Sequence, residues 1–174
     1  MIVGPDGIVR FGGTRYPGVI GRSGISSAKR EGDGATPAGE FPLRAVWYRP
    51  DRLARPRTSL PVSEIGPEDG WCDDPASPDY NRPVRLPIVR SARVDARHAA
   101  SCERLWRDDG LYDVLIVAGY NDDPVVAGAG SAIFVHVAAP GGGPTEGCVA
   151  LEKPDLLHVL RRLGPESRLI VEPG

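Results

Sequence analysis

The chain has 174 residues, 41% of them hydrophobic and 25% charged, with 21 basic against 23 acidic side chains and a formal net charge of -2. That length makes one domain able to bury an apolar core without disulfides or a structural metal, and the near-neutral charge lacks the clustered positive field that nucleic acid demands. Twenty-two glycines and 18 prolines exclude a helical bundle and predict a mainly β (β-rich α+β) fold with many turns. No apolar run reaches the roughly 18 residues of a membrane span.

In chain order, Ile8 to Phe11, Tyr16 to Arg22 and Phe41 to Tyr48 are short, rich in β-branched or aromatic residues and separated by glycine turns, so they are expected as strands. Pro50 to Pro87 holds eight prolines with Trp71 and Tyr80 and shows no sustained period; it is expected as a long ordered loop or lid, with a linker as the competing reading. Cys102, Leu105 and Trp106 fall at helical spacing, so a helix is expected over Ala96 to Asp108, stopped by Gly110. Tyr112 to Ala118 and Ala132 to Ala138 are apolar on both faces, the pattern of central strands. Pro154 in a first helical turn, followed by Leu156, Leu157, Val159 and Leu160, opens a second helix that runs to Gly164, and Arg168 to Val171 is a last strand. The whole chain, 1–174, is expected to be a single domain acting as a monomer.

Cys72, Cys102 and Cys148 make an odd, widely spaced set, which is no disulfide framework and suits thiols kept free in a reducing compartment. The N-terminal Met1-Ile-Val-Gly-Pro-Asp-Gly has neither a basic nor an apolar targeting region. A cytoplasmic protein is expected if Met1 is the natural start, and a periplasmic one if a signal peptide has been removed.

The chemistry centres on Phe134-Val135-His136-Val137 and, twelve residues after the histidine, on Thr145-Glu146-Gly147-Cys148-Val149. The Pro140-Gly-Gly-Gly-Pro144 loop between them gives the chain room to fold back and set a thiol near an imidazole, a nucleophile and its base. A free thiol titrates near 8.5, so lowering it by about two units requires roughly 2.7 kcal/mol, which an imidazolium in contact can supply. The Gly147 and Cys148 amides are candidates for an oxyanion hole, which points to acyl transfer. Two other readings stand beside this one. Free cysteines are commonly core residues, as Cys72 and Cys102 are expected to be near Trp71 and Trp106. His98 and Cys102, spaced i, i+4, could join His136 and Cys148 around a metal. His158 is expected to face solvent.

His136 followed by Thr145-x-Gly147-Cys148-Val149 resembles the signature of the YkuD-type L,D-transpeptidase family. Gly32-Asp-Gly-Ala-Thr36-Pro37-Ala-Gly39-Glu-Phe41 is similar to that family's Thr-Pro-x-Gly-x-Phe segment, and the resemblance spans about Ile8 to Glu152. It implies a YkuD-like β-sandwich or roll with two short helices, the Pro-rich segment 50–87 lying over the cleft. It implies Cys148 as nucleophile, His136 as base, Gly147 and Cys148 amides as oxyanion donors, and the Val137 carbonyl orienting the imidazole. The substrate implied is a peptidoglycan stem tetrapeptide or muropeptide, cut between the L-centre of residue 3 and the terminal D-Ala, with no cofactor and no metal. Water as acceptor makes an L,D-carboxypeptidase, expected for a cytoplasmic chain; an amine makes a transpeptidase, expected for an exported one. A non-catalytic peptidoglycan-peptide binding module is the alternative.

This sequence departs from the family pattern at Val137, Glu146 and Ala150 and in its shorter His-to-Cys spacing, which bears on substrate choice. Glu146 beside a thiolate would oppose ionisation, so it is expected to point away or to meet an ammonium group of the substrate. Substrate carboxylates call for arginines: Arg30, Arg82 and Arg85 are candidates, with Trp71, Tyr80 and Asn121 as rim contacts, and Thr145 and Glu146 completing the set.

Overall fold

The computed structural model describes residues 1–86 and 100–173. Its strands are Ile2–Val3 (β1), Val9–Phe11 (β2), Thr14–Tyr16 (β3), Gly18–Val19 (β4), Ile25–Ser26 (β5), Thr36–Pro37 (β6), Gly39–Tyr48 (β7), Val62–Glu64 (β8), Asp69–Cys72 (β9), Pro83–Arg85 (β10), Cys102–Arg104 (β11), Val114–Ala118 (β12), Phe134–Val137 (β13), Val149–Leu151 (β14) and Arg168–Val171 (β15). Among the described residues there is one helix, Lys153–Leu160 (α1), and no helix is long and apolar enough to cross a membrane. The fold is mainly β, as composition predicts.

The main sheet runs β3-β2-β1-β15-β7-β12-β13-β14-β4, with β8 added to β7. The ten-residue β7 is its spine, paired with β12 and β15 and extended by β8. Every residue of β12 and β13 is buried, because apolar side chains leave both faces of these strands and each face carries its own core. On one face Val46, Ile116, Val135 and Leu151 pack with Leu156, Val159 and Leu160 of α1. On the other, Leu115, Val117 and Phe134 pack with Trp71 and Cys148. Pro154 opens α1 where a missing N–H costs nothing, and the helix ends at Leu160, before Gly164.

Two expectations are corrected. The helix over Ala96 to Asp108 is not formed in its described part: Cys102–Arg104 is β11, antiparallel to β9, and residues 96–99 lie outside the described residues. Strand pairing overrides the local period here, since Leu105 N–H donates to Asp69 O at 3.0 Å and Trp106 is covered by the Arg49 guanidinium 3.5 Å from its ring centroid. Residues 50–86, the described part of the expected loop or lid, are more regular than a loop. They contribute β8 to the main sheet and β9 and β10 to a second, three-stranded sheet, β10-β9-β11. That sheet is seated by Trp71, edge-on to Phe134 at 5.2 Å and to Trp47 at 6.4 Å.

Candidate active site

β13 and β14 are parallel neighbours in the register Val135 with Val149 and His136 with Ala150. Cys148, one residue before β14, therefore stands level with Phe134. Side chains two apart share a face, so Cys148, Ala150, Phe134 and His136 lie on one side of this pair, and the Cys148 and His136 Cα atoms are about 8 Å apart from strand spacing and rise. Ala150, level with the histidine, leaves the space between them open. Both residues line one cleft of about 430 Å³.

The His136 Nδ1 is 2.8 Å from the Val137 carbonyl oxygen. That contact makes Nδ1 the protonated nitrogen and Nε2 the one able to accept a proton. Tyr112 packs edge-on to the ring at 5.3 Å. Burial lowers the imidazole to about 4, against the raising effect of the Val137 hydrogen bond. The Cys148 thiol accepts from Phe134 N–H at 3.3 Å and donates to the Ala132 carbonyl at 3.2 Å, so its hydrogen bonds run to backbone rather than to the imidazole. Burial pushes it up to about 12, with the Phe134 bond and the Lys29 charge pulling the other way. At neutral pH this is a neutral thiol facing the same cleft as a neutral imidazole, not the resting ion pair that the sequence suggests.

Backbone geometry around the sulfur is fixed by both sequence motifs. Gly147 has φ +137°, and a Cβ there would lie 2.7 Å from the Ala35 carbonyl oxygen, so only glycine fits. The Gly147 N–H donates to Thr145 Oγ1 at 3.2 Å, and that hydroxyl donates to the Cys148 carbonyl at 2.6 Å. Thr36, fully buried, accepts from Gly21 N–H at 2.8 Å and donates to the same Cys148 carbonyl at 3.5 Å. The Thr36-Pro37 motif is thus a brace for the cysteine turn.

The model of the L,D-transpeptidase catalytic domain, YkuD, matches residues 9–171. The chain belongs to the YkuD L,D-transpeptidase family. Its nearly closed β-sheet is consistent with the YkuD fold, and L,D-transpeptidase-type catalysis is the general activity of that domain. A search of curated proteins returns no match to the chain.

In this YkuD domain the remaining sequence candidates divide. Thr145 and Glu146 line the cleft, and Glu146, largely exposed, pairs with the Arg22 guanidinium, a cation from its own chain. Arg30 is exposed and outside the cleft lining. Arg85 is held by Asp69 at 2.5 Å, and Arg82 lines a separate groove with Trp47 and Trp71. Trp71 supports the site from behind: its indole N–H donates to Asn81 Oδ1 at 3.0 Å, the same oxygen accepts from Ala132 N–H at 3.0 Å, and the Ala132 carbonyl receives the thiol. Tyr80 donates to Glu31 and accepts from Gly130 N–H. Asn121 accepts from Val126 N–H and donates to the carbonyls of Val126 and Gly130, which closes its own loop.

Sequence reading found Glu146 but missed the rest of the cleft's charged lining: Lys29 and Arg107 against Glu31, Asp73 and Glu103. The Lys29 ammonium is held by Asp33 at 2.5 Å. Glu103 accepts from Arg107 at 2.8 Å and from the Tyr112 hydroxyl at 3.3 Å, and burial outweighs Arg107 in raising its carboxyl. Of the sequence-proposed metal ligands, His98 lies outside the described residues, and among the described residues no three His, Cys, Asp or Glu side chains are grouped to hold an ion.

Proposed function

We propose that this family member carries out Cys148-dependent acyl transfer on peptidoglycan stem tetrapeptides or muropeptides, with 1–174 as one catalytic domain and segment 50–87 as part of the cleft's cover. The observation that carries this reading is the shared cleft, in which a cysteine and a histidine of fixed tautomer stand on one face of a parallel strand pair. Cys148 attacks the carbonyl between the L-centre of the third residue and the terminal D-Ala. Moving the proton first, from a thiol near 12 to an imidazole near 4, would cost on the order of 10 kcal/mol before the ions attract one another. The thiol proton therefore passes to His136 Nε2 as the carbon–sulfur bond forms, and from there to the departing D-Ala nitrogen. The Gly147 N–H is engaged by Thr145, so the Cys148 amide is the donor assigned to the developing oxyanion.

The thioester is then taken by an acceptor. With Glu146 matched by Arg22, the cleft keeps Glu31, Asp73 and Glu103 against Lys29 and Arg107, a balance that favours a cationic amine over water and makes the chain a transpeptidase, with L,D-carboxypeptidase activity when no amine is present. Purified tetrapeptide incubated with and without an amine acceptor tests this. Release of D-Ala with a new amide to the acceptor is expected; tripeptide alone at saturating amine overturns the acceptor assignment, and intact tetrapeptide overturns the acyl transfer and favours a binding module.

A further inference from the structure

Cys72 and Cys102 are cross-strand partners in the second sheet, opposite one another in the β9–β11 register. Asp73 N–H donates to Ser101 O at 3.2 Å, and Leu105 N–H to Asp69 O at 3.0 Å. Bonded and non-bonded pairs alternate along an antiparallel ladder, so these bonds place Cys72 and Cys102 at a non-hydrogen-bonded pair, where Cα atoms lie about 4.5 Å apart and side chains share a face. That separation falls within the roughly 4.4–6.8 Å that a disulfide spans. Cys72 is fully buried and Cys102 half-buried, so Cys102 is the sulfur that a solvent-borne reagent meets first. The odd cysteine count leaves Cys148 as the remaining thiol, bonded to Phe134 and Ala132.

We propose that Cys72 and Cys102 are a redox-modification site that a disulfide-class oxidant closes into a cross-strand disulfide, sparing Cys148. The Cys102 thiolate attacks the oxidant's sulfur–sulfur bond, giving a mixed disulfide and one released thiolate. The Cys72 sulfur then attacks Cys102, the protein disulfide forms and the second thiolate leaves; two electrons pass to the oxidant and two protons to the released thiols or solvent. Burial first, and the facing Cys72 second, raise the Cys102 thiol to about 12, so the first attack accelerates about tenfold per pH unit near neutrality. The bond would staple the two strands that present Asp73 and Glu103 to the cleft, and through Glu103 it reaches Tyr112, which packs on His136. The site stands whether or not the acyl-transfer reading does.

The test equilibrates the full chain with graded ratios of reduced and oxidised glutathione, quenches in acid, labels with N-ethylmaleimide and maps peptides by mass. In wild type and in Cys148→Ala, labelling at Cys72 and Cys102 is expected to fall by more than half together as the mixture becomes oxidising, with a peptide joining the two and lighter by two hydrogens. Cys148 of the wild type is expected to keep its label. Both thiols still labelled at the most oxidising ratio, a stable glutathione adduct on Cys102 alone, or a link from either residue to Cys148 overturns the proposal. The wild-type map is decisive, so the test does not depend on how a serine at the buried Cys72 position folds.

Discussion

At the scale of single residues, the Cys148 turn is held by two threonine hydroxyls converging on one carbonyl. Thr36→Val keeps the shape but leaves the buried Gly21 N–H without its acceptor, a loss of about 1–3 kcal/mol. A lower urea midpoint at unchanged m-value is expected, with activity falling in parallel. Gly147→Ala acts differently, because the φ of +137° and the Ala35 carbonyl leave no place for a methyl group. Loss of turnover by at least tenfold, about 1.4 kcal/mol, is expected from the displaced sulfur, measured with tetrapeptide as D-Ala release. Asn81 matters for the same reason at one remove: it accepts from both Trp71 and Ala132, so its removal frees the loop to which the thiol donates.

At the scale of elements, β13 could be read from sequence because Phe134-Val135-His136-Val137 is apolar apart from the histidine, whereas β14, three residues long, was read only as the end of the Thr-x-Gly-Cys motif; the Gly/Pro loop announces the return but not the parallel pairing. β12 was legible from apolar residues on both faces, and β7 from its aromatic and β-branched residues. β9 and β11 were not: Asp69-Gly70-Trp71-Cys72 and Cys102-Glu103-Arg104 have no strand period of their own, and their pairing joins positions about thirty apart, a relation that no local window contains. Asp73 and Glu103 of the cleft were missed with them, since Asp73 follows β9 and Glu103 sits on β11. If this sheet reads a cationic acceptor, Asp73→Asn combined with Glu103→Gln is expected to raise KM for the amine about tenfold while hydrolysis without amine changes less. Equal loss in both reactions would remove the sheet from acceptor recognition. Phe134, fully buried between Trp71 and Tyr112, ties the two sheets together.

At the scale of the whole molecule, burying a neutral imidazole links stability to pH. His136 titrates near 4 in the fold and near 6.5 when unfolded, so between those values the unfolded chain binds more protons. Stability from this group is fully present above pH 6.5 and is lost as pH falls toward 4, a change of about 3 kcal/mol. Urea melts from pH 7.5 to 4.5 are expected to show that decline, flattened in His136→Gln. The same lowered value predicts that kcat/KM stays level through neutrality and falls only as pH drops toward 4, where Nε2 can no longer take a proton.

The proposed acyl transfer requires that Cys148 become covalently acylated. Intact-mass measurement after incubation with a carbapenem, a strained acylating β-lactam, tests it most directly, with Cys148→Ala beside the wild type. One adduct mapped to Cys148 in the wild type, and none in the variant, is expected; no adduct on the wild type, or an equal adduct on the variant, rules out Cys148 as the nucleophile.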